Sequence, residues 1–172
     1  MPDAPTPRGI VELISAEPGD QPLLAALLDS YAREFSLFHP VEFEADGSFV
    51  YPHLPSYWCE PGRFPFLIRM DGEIAGFVLV ARQDSLSGEA VFDIDQFYVA
   101  PGFRRHGAGT EAAHDVWKRF PALWQVRVLD ANQPAIRFWK SAVSRFTGKP
   151  LQPVSFTVGN EAWRRFSFDS RR

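Results

Sequence analysis

The sequence has little cysteine, no long apolar run and no excess of positive charge, and each shortage excludes a class of protein. Among 172 residues there is one cysteine, Cys59, so no disulfide can form within the chain. No apolar stretch approaches the roughly 20 residues that cross a bilayer, and the first residues lack the pattern of a secretory signal. We therefore predict a cytoplasmic protein that does not interact with membranes.

The small excess of acidic residues and the hydrophobic content narrow the class of protein further. The chain carries 18 Lys and Arg against 21 Asp and Glu, so nothing favours a nucleic-acid partner, whose phosphates need a concentrated basic surface. Hydrophobic residues make up 45% of the chain, which indicates a folded globular protein. No Cys/His cluster has zinc spacing, and we predict no metal. We expect one domain over 10–172 after a loose, proline-containing lead-in over 1–9.

The spacing of apolar residues predicts a mixed α/β domain. Helical spacing indicates helices over 20–36, over 107–119, and after Asn132, which can cap a helix. Asp71-Gly72 between two apolar runs indicates a hairpin. The sequence also predicts strands at 10–14, 64–70, 73–81, 90–99, 124–129, 154–158 and 163–168.

The order of these elements predicts the sheet. Three consecutive strands before 99 indicate an antiparallel meander, and residues 90–129 form one β-α-β unit. We expect a mostly antiparallel α/β (α+β) sheet of about six or seven strands, flanked by about four helices. Residues 37–63, rich in proline and aromatic side chains, should form loops and short helical turns.

One stretch, VAPGFRRHGAGTEAA (99–113), combines glycines with basic residues at a predicted helix start. Its GAGTEA matches the G-x-G-x-x-A dinucleotide fingerprint, and Asp130 lies 21 positions after Gly109, as that fingerprint requires. However, seven residues separate the strand from Gly107, and no β-α-β series precedes it. The dinucleotide interpretation is therefore disfavoured. Tight packing of the helix is a further use for such glycines.

The wider spacing, V-x-P-x-x-R-x-x-G-x-G over 99–109, resembles the GNAT superfamily of acyl-CoA-dependent N-acyltransferases, whose pyrophosphate motif is [QR]-x-x-G-x-[GA]. A second segment, NQPAIRFWK over 132–140, resembles that superfamily's N-x-x-A-x-x-[FL]-Y-x-K segment. The likeness is closest to poorly characterised bacterial members with Phe-Trp in place of Phe-Tyr. It implies a GNAT-like fold with a β4-α3-β5 CoA-binding unit and acetyl-CoA as cosubstrate.

A glycine-rich helix start suits a pyrophosphate, because free N–H groups and the helix dipole converge on an anion there. The resemblance implies that the cofactor lies against the strand over 90–99, the glycine-rich turn and the helix that follows Asn132. The expected cofactor-binding residues are Phe97, Tyr98, Val99, Arg104, Arg105, His106, Gly107, Ala108, Gly109, Thr110, Asn132 and Trp139.

Aminolysis of a thioester needs a group that takes the amine proton, and a positioned carboxylate can do so. The resemblance implies that such bases come from the strand before the glycines, where we rank Asp95 first and Asp93 second. Strict alternation would place both carboxylates on one face with Phe97 and Val99. Gln96 would then lie on the opposite face, where it could orient a substrate or a water.

The leaving thiolate needs a proton donor, and the sequence departs from the family here. Trp139 stands where the resemblance implies a tyrosine acid, and an indole N–H is no practical acid. Tyr98 is the candidate replacement.

The acceptor is the least constrained part of the prediction. The resemblance implies that the segment between the first helix and the hairpin lines the acceptor site, and we expect Tyr57, Trp58 and Glu60 there, with Gln96. We predict direct acetyl transfer in a ternary complex to a small-molecule or peptide amine, by a monomer or homodimer. The alternative is a non-catalytic acyl-CoA-binding or regulatory module on the same fold.

Overall fold

A seven-stranded sheet forms the centre of the structure, a computed structural model that describes residues 9–171. Apart from Gly9, the predicted lead-in lies outside the described residues. The strands are β1 (Val11–Ser15), β2 (Arg63–Met70), β3 (Glu73–Asp84), β4 (Ala90–Val99), β5 (Leu123–Leu129), β6 (Val154–Val158) and β7 (Glu161–Asp169). The helices are α1 (Gln21–Phe35), α2 (Ser56–Cys59), α3 (Ala108–Arg119) and α4 (Gln133–Thr147).

The sheet has the order β1-β2-β3-β4-β5-β7-β6, and within 9–171 only β4 and β5 pair in parallel. The predicted fold class, with its β4-α3-β5 unit, is confirmed. The hairpin turn is also confirmed, since Asp71 and Gly72 both have positive φ, 51° and 85°. No helix in the described part of the chain is long and apolar enough to cross a bilayer.

Helices cover the sheet on both faces and divide the core in two. On one face, α3 and α4 pack against a cluster that includes the fully buried rings of Trp117 and Trp124. On the other face, α1 and α2 cover a cluster around Phe77, Leu79 and Tyr57. Apolar burial on both faces is the main stabilising contribution of this layered arrangement.

A β-bulge interrupts β4 at Asp95. Leu79 of β3 pairs with Gln96 and Val80 pairs with Ile94, so Asp95 has no partner on β3. A bulge adds one residue to a strand and shifts the alternation of side chains beyond it. The prediction that Asp95 shares a face with Phe97 is therefore wrong.

The faces of β4 follow from this shift. Asp93, Asp95, Gln96 and Tyr98 all lie on the α1/α2 face, because their partners or contacts belong to that side. Phe97 and Val99 pack with the α3/α4 cluster instead. The prediction that Gln96 faces away from Asp95 is also wrong, since both residues lie on the α1/α2 face.

The parallel strands β4 and β5 stay paired only over their first residues. The last paired residues are Asp93 and Gln125, and beyond them the two strands separate. The edge of β4 from Ile94 to Val99 is therefore open toward β5. This opening is the feature that positions the candidate site.

Candidate active site

Two clefts meet where β4 and β5 separate. The first, here the Asp95 cleft, has a volume of about 550 Å³ and lies between Tyr51, Asp95 and Arg127. The second, the Arg105 cleft, has about 510 Å³ and lies between Val99, Arg105 and the start of α3. Both clefts are lined by Tyr31, Phe35, Phe97, Asn132, Ala135 and Trp139.

The glycine turn presents backbone donors to the Arg105 cleft. Gly107 precedes α3 with a φ of 89°, and Arg105 also has a left-handed backbone, with a φ of 65°. Within 9–171, no N–H group of residues 105–110 donates to another protein group. Such a set of N–H groups at a helix start is a donor set suited to an anionic phosphate.

The two motif glycines have different roles. A side chain at Gly107 would meet only Glu111 Oε1, at 3.5 Å, but the positive φ favours glycine there. A Cβ at Gly109 would lie 3.1 Å from the ring of Phe138 on α4. Gly109 therefore permits close packing of the two helices, the structural use that the sequence left open.

The two motif arginines also differ. Arg104 is committed to the protein, because its Nε donates to the Val99 carbonyl at 2.7 Å and its Nη2 pairs with Glu34 at 2.7 Å. Arg105 is exposed and makes no ion pair or hydrogen bond with another residue of the described chain. Of the two guanidinium groups, the one on Arg105 is available to a ligand.

The other predicted cofactor residues gather around the same opening. All of them line the Arg105 cleft except His106, which lines a neighbouring depression, and Ala108, whose side chain is buried. Asn132 caps α4 as predicted, since its Oδ1 accepts from the Ala135 N–H at 3.2 Å. Trp139 lies at the junction of both clefts and contacts the ring of Phe97, with centroids 4.9 Å apart. Cofactor binding by these residues stays a prediction.

Asp95 lies in the Asp95 cleft under two tyrosines. The hydroxyl of Tyr57 donates to Asp95 Oδ2 at 2.6 Å, and that of Tyr51 donates to the same oxygen at 2.9 Å. In the described chain, Oδ1 accepts no hydrogen bond from a side chain. One carboxylate oxygen is therefore held by the protein while the other is left for a ligand.

Asp93 has a different environment. It is fully buried, its Oδ2 pairs with Arg127 at 2.6 Å and accepts from Gln125 at 3.2 Å. Burial raises the pKa of Asp93 to about 6, although the positive charge of Arg127 acts in the opposite direction. Because Asp93 is enclosed and already paired, Asp95 is the more accessible of the two carboxylates.

The residues predicted for the acceptor site do not come together in the Asp95 cleft. Tyr57 is buried against Asp95, the Trp58 indole donates to the Ala16 carbonyl at 3.0 Å, and Glu60 lies 3.7 Å from Arg63. In the described chain, none of these three lines that cleft. Gln96 does line it. An acceptor role for this set stays a prediction.

Other residues of the 37–55 loop line the cleft instead. Glu42, Glu44 and Tyr51 do so, and His39 Nδ1 contacts Glu161 Oε1 of β7 at 2.5 Å, which ties the loop across the opening. The sequence contained the aromatic and proline signal of this loop. It contained no local signal for which of its side chains face β4.

Two phenols line the Arg105 cleft. The hydroxyl of Tyr98 makes a long hydrogen bond, 3.4 Å, to Glu34, and the Arg104 guanidinium covers its ring. The hydroxyl of Tyr31 makes no hydrogen bond with the described residues, and its ring lines both clefts. Burial, followed by the charge of Asp95, raises the pKa of Tyr31 to about 12, so this phenol stays protonated near neutral pH.

The family model of the acetyltransferase (GNAT) family matches residues 24–142, which span both clefts and the glycine turn. The chain therefore belongs to the GNAT acetyltransferase family. The predicted enzyme class, an acetyl-CoA-dependent N-acetyltransferase, is confirmed at this level, with acetyl-CoA as its cosubstrate.

Solved structures share the fold at low sequence identity. An acetyltransferase from Thermus thermophilus aligns with a TM-score of 0.67 and 15% identity, over 92% of this chain and 96% of its own. Arabidopsis thaliana NAA60 in complex with a bisubstrate analogue gives 0.62 and 17%, over 93% and 98%. The ribosomal-protein-S18-alanine N-acetyltransferase of Escherichia coli gives 0.58 and 18%, over 95% and 96%. No curated protein sequence matches the chain significantly.

The raised pKa of Asp93 predicts a pH-dependent stability. The folded value, about 6, lies above an unfolded value of about 3.9, so the folded state binds the proton more tightly and stability from this group falls as pH rises between them. We expect the free energy of unfolding of Asp93→Asn, relative to the unmodified protein, to increase from pH 4 to pH 7. Urea denaturation at several pH values measures this difference.

Asp169→Asn is the matched control for that measurement. The hydrogen bond from Arg171 lowers the pKa of Asp169, so its removal should not raise relative stability over the same range. A flat difference for Asp93→Asn would show that burial does not perturb this carboxyl.

Proposed function

We propose that this protein transfers the acetyl group of acetyl-CoA directly to a primary amine that binds in the Asp95 cleft. The observation that carries the proposal is the junction of the two clefts. On one side lie the N–H groups of residues 105–110, at the start of α3, which donate to no described residue. On the other side lies the Asp95 carboxylate, with one oxygen left for a ligand. The open edge of β4 runs between them.

The residues around the Arg105 cleft suit coenzyme A. The N–H groups of residues 105–110 and the Arg105 guanidinium would hold its pyrophosphate. The open edge of β4 from Phe97 to Val99 would pair with the pantetheine arm, as an added strand does. When bound, acetyl-CoA supplies the activated acyl carbon.

Asp95 would take the proton that the attacking amine loses. Its Oδ2 is held by two phenols, so Oδ1 is the atom that would receive this proton. Asp93 is the second candidate, but its carboxylate is enclosed and paired with Arg127.

The charges of the Asp95 cleft support an acceptor that arrives as a cation. Glu42, Glu44 and Asp95 line it, and the arginine that also lines it, Arg127, is paired with Asp93. An ammonium ion would be attracted to this surface. It would give its first proton to solvent, and Asp95 would take the second as the neutral amine attacks the acyl carbon. The same charges would repel an acceptor that carries several carboxylates.

A phenol would protonate the leaving sulfur, since Trp139 has no acidic proton to give. We infer that Tyr31 does so, because no described residue hydrogen-bonds its hydroxyl and its ring lies at the junction of both clefts. Tyr98, the residue predicted from the sequence, is the alternative and is engaged with Glu34.

The central test is turnover against a panel of amines, followed by release of free CoA thiol. For an amine that is acetylated, we expect Asp95→Asn to lower kcat by about 100-fold or more, the usual effect of a general base, with unchanged acetyl-CoA affinity. Full activity of this variant would remove Asp95 from the reaction. Tight acetyl-CoA binding without acetylation of any amine would favour the alternative, a non-catalytic acyl-CoA-binding module.

Arg105 allows a test of the phosphate site that does not depend on turnover. Arg105→Gly removes the guanidinium and also relieves the left-handed backbone, so folding should be unharmed. We expect about a tenfold or greater loss of CoA affinity in calorimetry, from the loss of one charge-assisted hydrogen bond. Acetyl-pantetheine, which lacks the pyrophosphate, should bind the variant and the unmodified protein equally. An equal loss for both ligands would contradict the assignment.

The proton donor is tested by comparing two phenylalanine variants. We expect Tyr31→Phe to lower kcat by about tenfold or more, with little change in acetyl-CoA affinity, because only the hydroxyl is removed. Tyr98→Phe should lower kcat less. The reverse order would assign the proton transfer to Tyr98.

A further inference from the structure

We infer that Tyr57 and Tyr51 are positioning residues, which hold the Asp95 carboxylate through its Oδ2 and turn its Oδ1 toward the acceptor. This inference rests on the proposed function, in which Asp95 takes the proton of the amine. It assigns Tyr57 a role different from the acceptor contact expected from the sequence.

The geometry brings three distant segments to one oxygen atom. Tyr57 comes from α2, Tyr51 from the preceding loop and Asp95 from the bulge of β4. Their two hydroxyls reach the same Oδ2, at 2.6 and 2.9 Å. The bulge leaves Asp95 without a partner on β3, and the carboxylate of this unpaired residue accepts from both phenols.

Burial holds the side chain of Tyr57 in one position. Tyr57 is 2% exposed within the α1/α2 core, and the Arg63 guanidinium lies 5.6 Å from the centre of its ring. A side chain enclosed in this way has few other rotamers, so its hydroxyl stays aimed at Asp95. Tyr51 is half-buried, and its ring packs edge-on against the ring of His53, with centroids 5.8 Å apart.

The surroundings of both phenols keep their hydroxyls protonated. Burial and then the negative charge of Asp95 raise the pKa of Tyr57, and the same causes raise that of Tyr51. Both phenols therefore remain donors throughout the range of an enzyme assay. Each hydroxyl therefore donates to Asp95 Oδ2, and Oδ1 is left as the oxygen that can meet the acceptor.

Other titratable groups line the cleft of this carboxylate or lie beside the two phenols. They are Tyr31 on α1, Asp93 on β4, Arg63 on β2, Arg127 on β5, and His39, Glu42 and Glu44 of the loop. Tyr→Phe substitutions leave all of these in place and keep the ring packing. They remove only the donated hydrogen bond.

The test compares Tyr57→Phe, Tyr51→Phe and a control, Ser56→Ala, which removes a hydroxyl of α2 that donates to the His53 carbonyl. The first readout is kcat for an acetylated amine. We expect each phenylalanine variant to lower kcat by about tenfold and the control to leave it unchanged, since each variant loses a hydrogen bond to the carboxylate that takes the proton.

The second readout is the same comparison in the Asp95→Asn background. We expect the phenylalanine substitutions to lower kcat little further there, because both tyrosines act through the carboxylate that is already absent. A merely structural role would lower kcat by the same factor in both backgrounds. Normal kcat in both folded variants, or equal losses in both backgrounds, would overturn the inference.

The outcomes separate this inference from the function it rests on. If Asp95→Asn retains full activity, the base assignment fails, whatever the phenylalanine variants give. If Asp95→Asn loses most of its activity but both phenylalanine variants keep the normal kcat, Asp95 is the base and the phenols do not position it. Tyr51, half-buried in a loop, keeps the test valid if Tyr57→Phe does not fold.

Discussion

The separation of β4 from β5 is the constraint on which the rest of the site depends. Parallel pairing ends at Asp93 and Gln125, and from there the edge of β4 has no neighbour strand within 9–171. Unpaired strand edges are normally protected or used for binding, because their N–H and C=O groups need partners. Here the opening is flanked by α3 and α4 on one face and by the 37–55 loop on the other, so it becomes a passage between two clefts.

The glycine motif combines groups that brace the fold with donors that have no partner among the described residues, and its spacing alone does not distinguish them. Arg104 braces the end of β4 through the Val99 carbonyl and Glu34, and Gly109 admits the Phe138 ring. Among the described residues, nothing pairs with Arg105 or with the N–H groups after it. The internal contacts hold the turn in a conformation that leaves these donors directed outward, so the donor set exists before any ligand arrives.

Features set by neighbouring residues could be predicted from the sequence, and features set by distant contacts could not. Asp71-Gly72 and the Asn132 cap depend on a few adjacent residues, and both were predicted. The bulge arises from the pairing of β3 with β4, so strict alternation along β4 misplaced Phe97 and Gln96. The Tyr51 and Tyr57 contacts with Asp95 join residues 44 and 38 positions apart, and no local pattern marks them.

Two carboxylates on one strand thus acquire different properties from their surroundings. Asp93 sits where the strands still pair, so it is enclosed, and burial raises its pKa to about 6 against the charge of Arg127. Asp95 sits just past the last pair, in the bulge, where two phenols hold one oxygen and the cleft reaches the other. Divergent environments of neighbouring acids commonly accompany a division of roles. The division here follows from where the pairing ends: the enclosed carboxylate anchors Arg127 of β5, and the one beyond it keeps an oxygen that accepts from no described side chain.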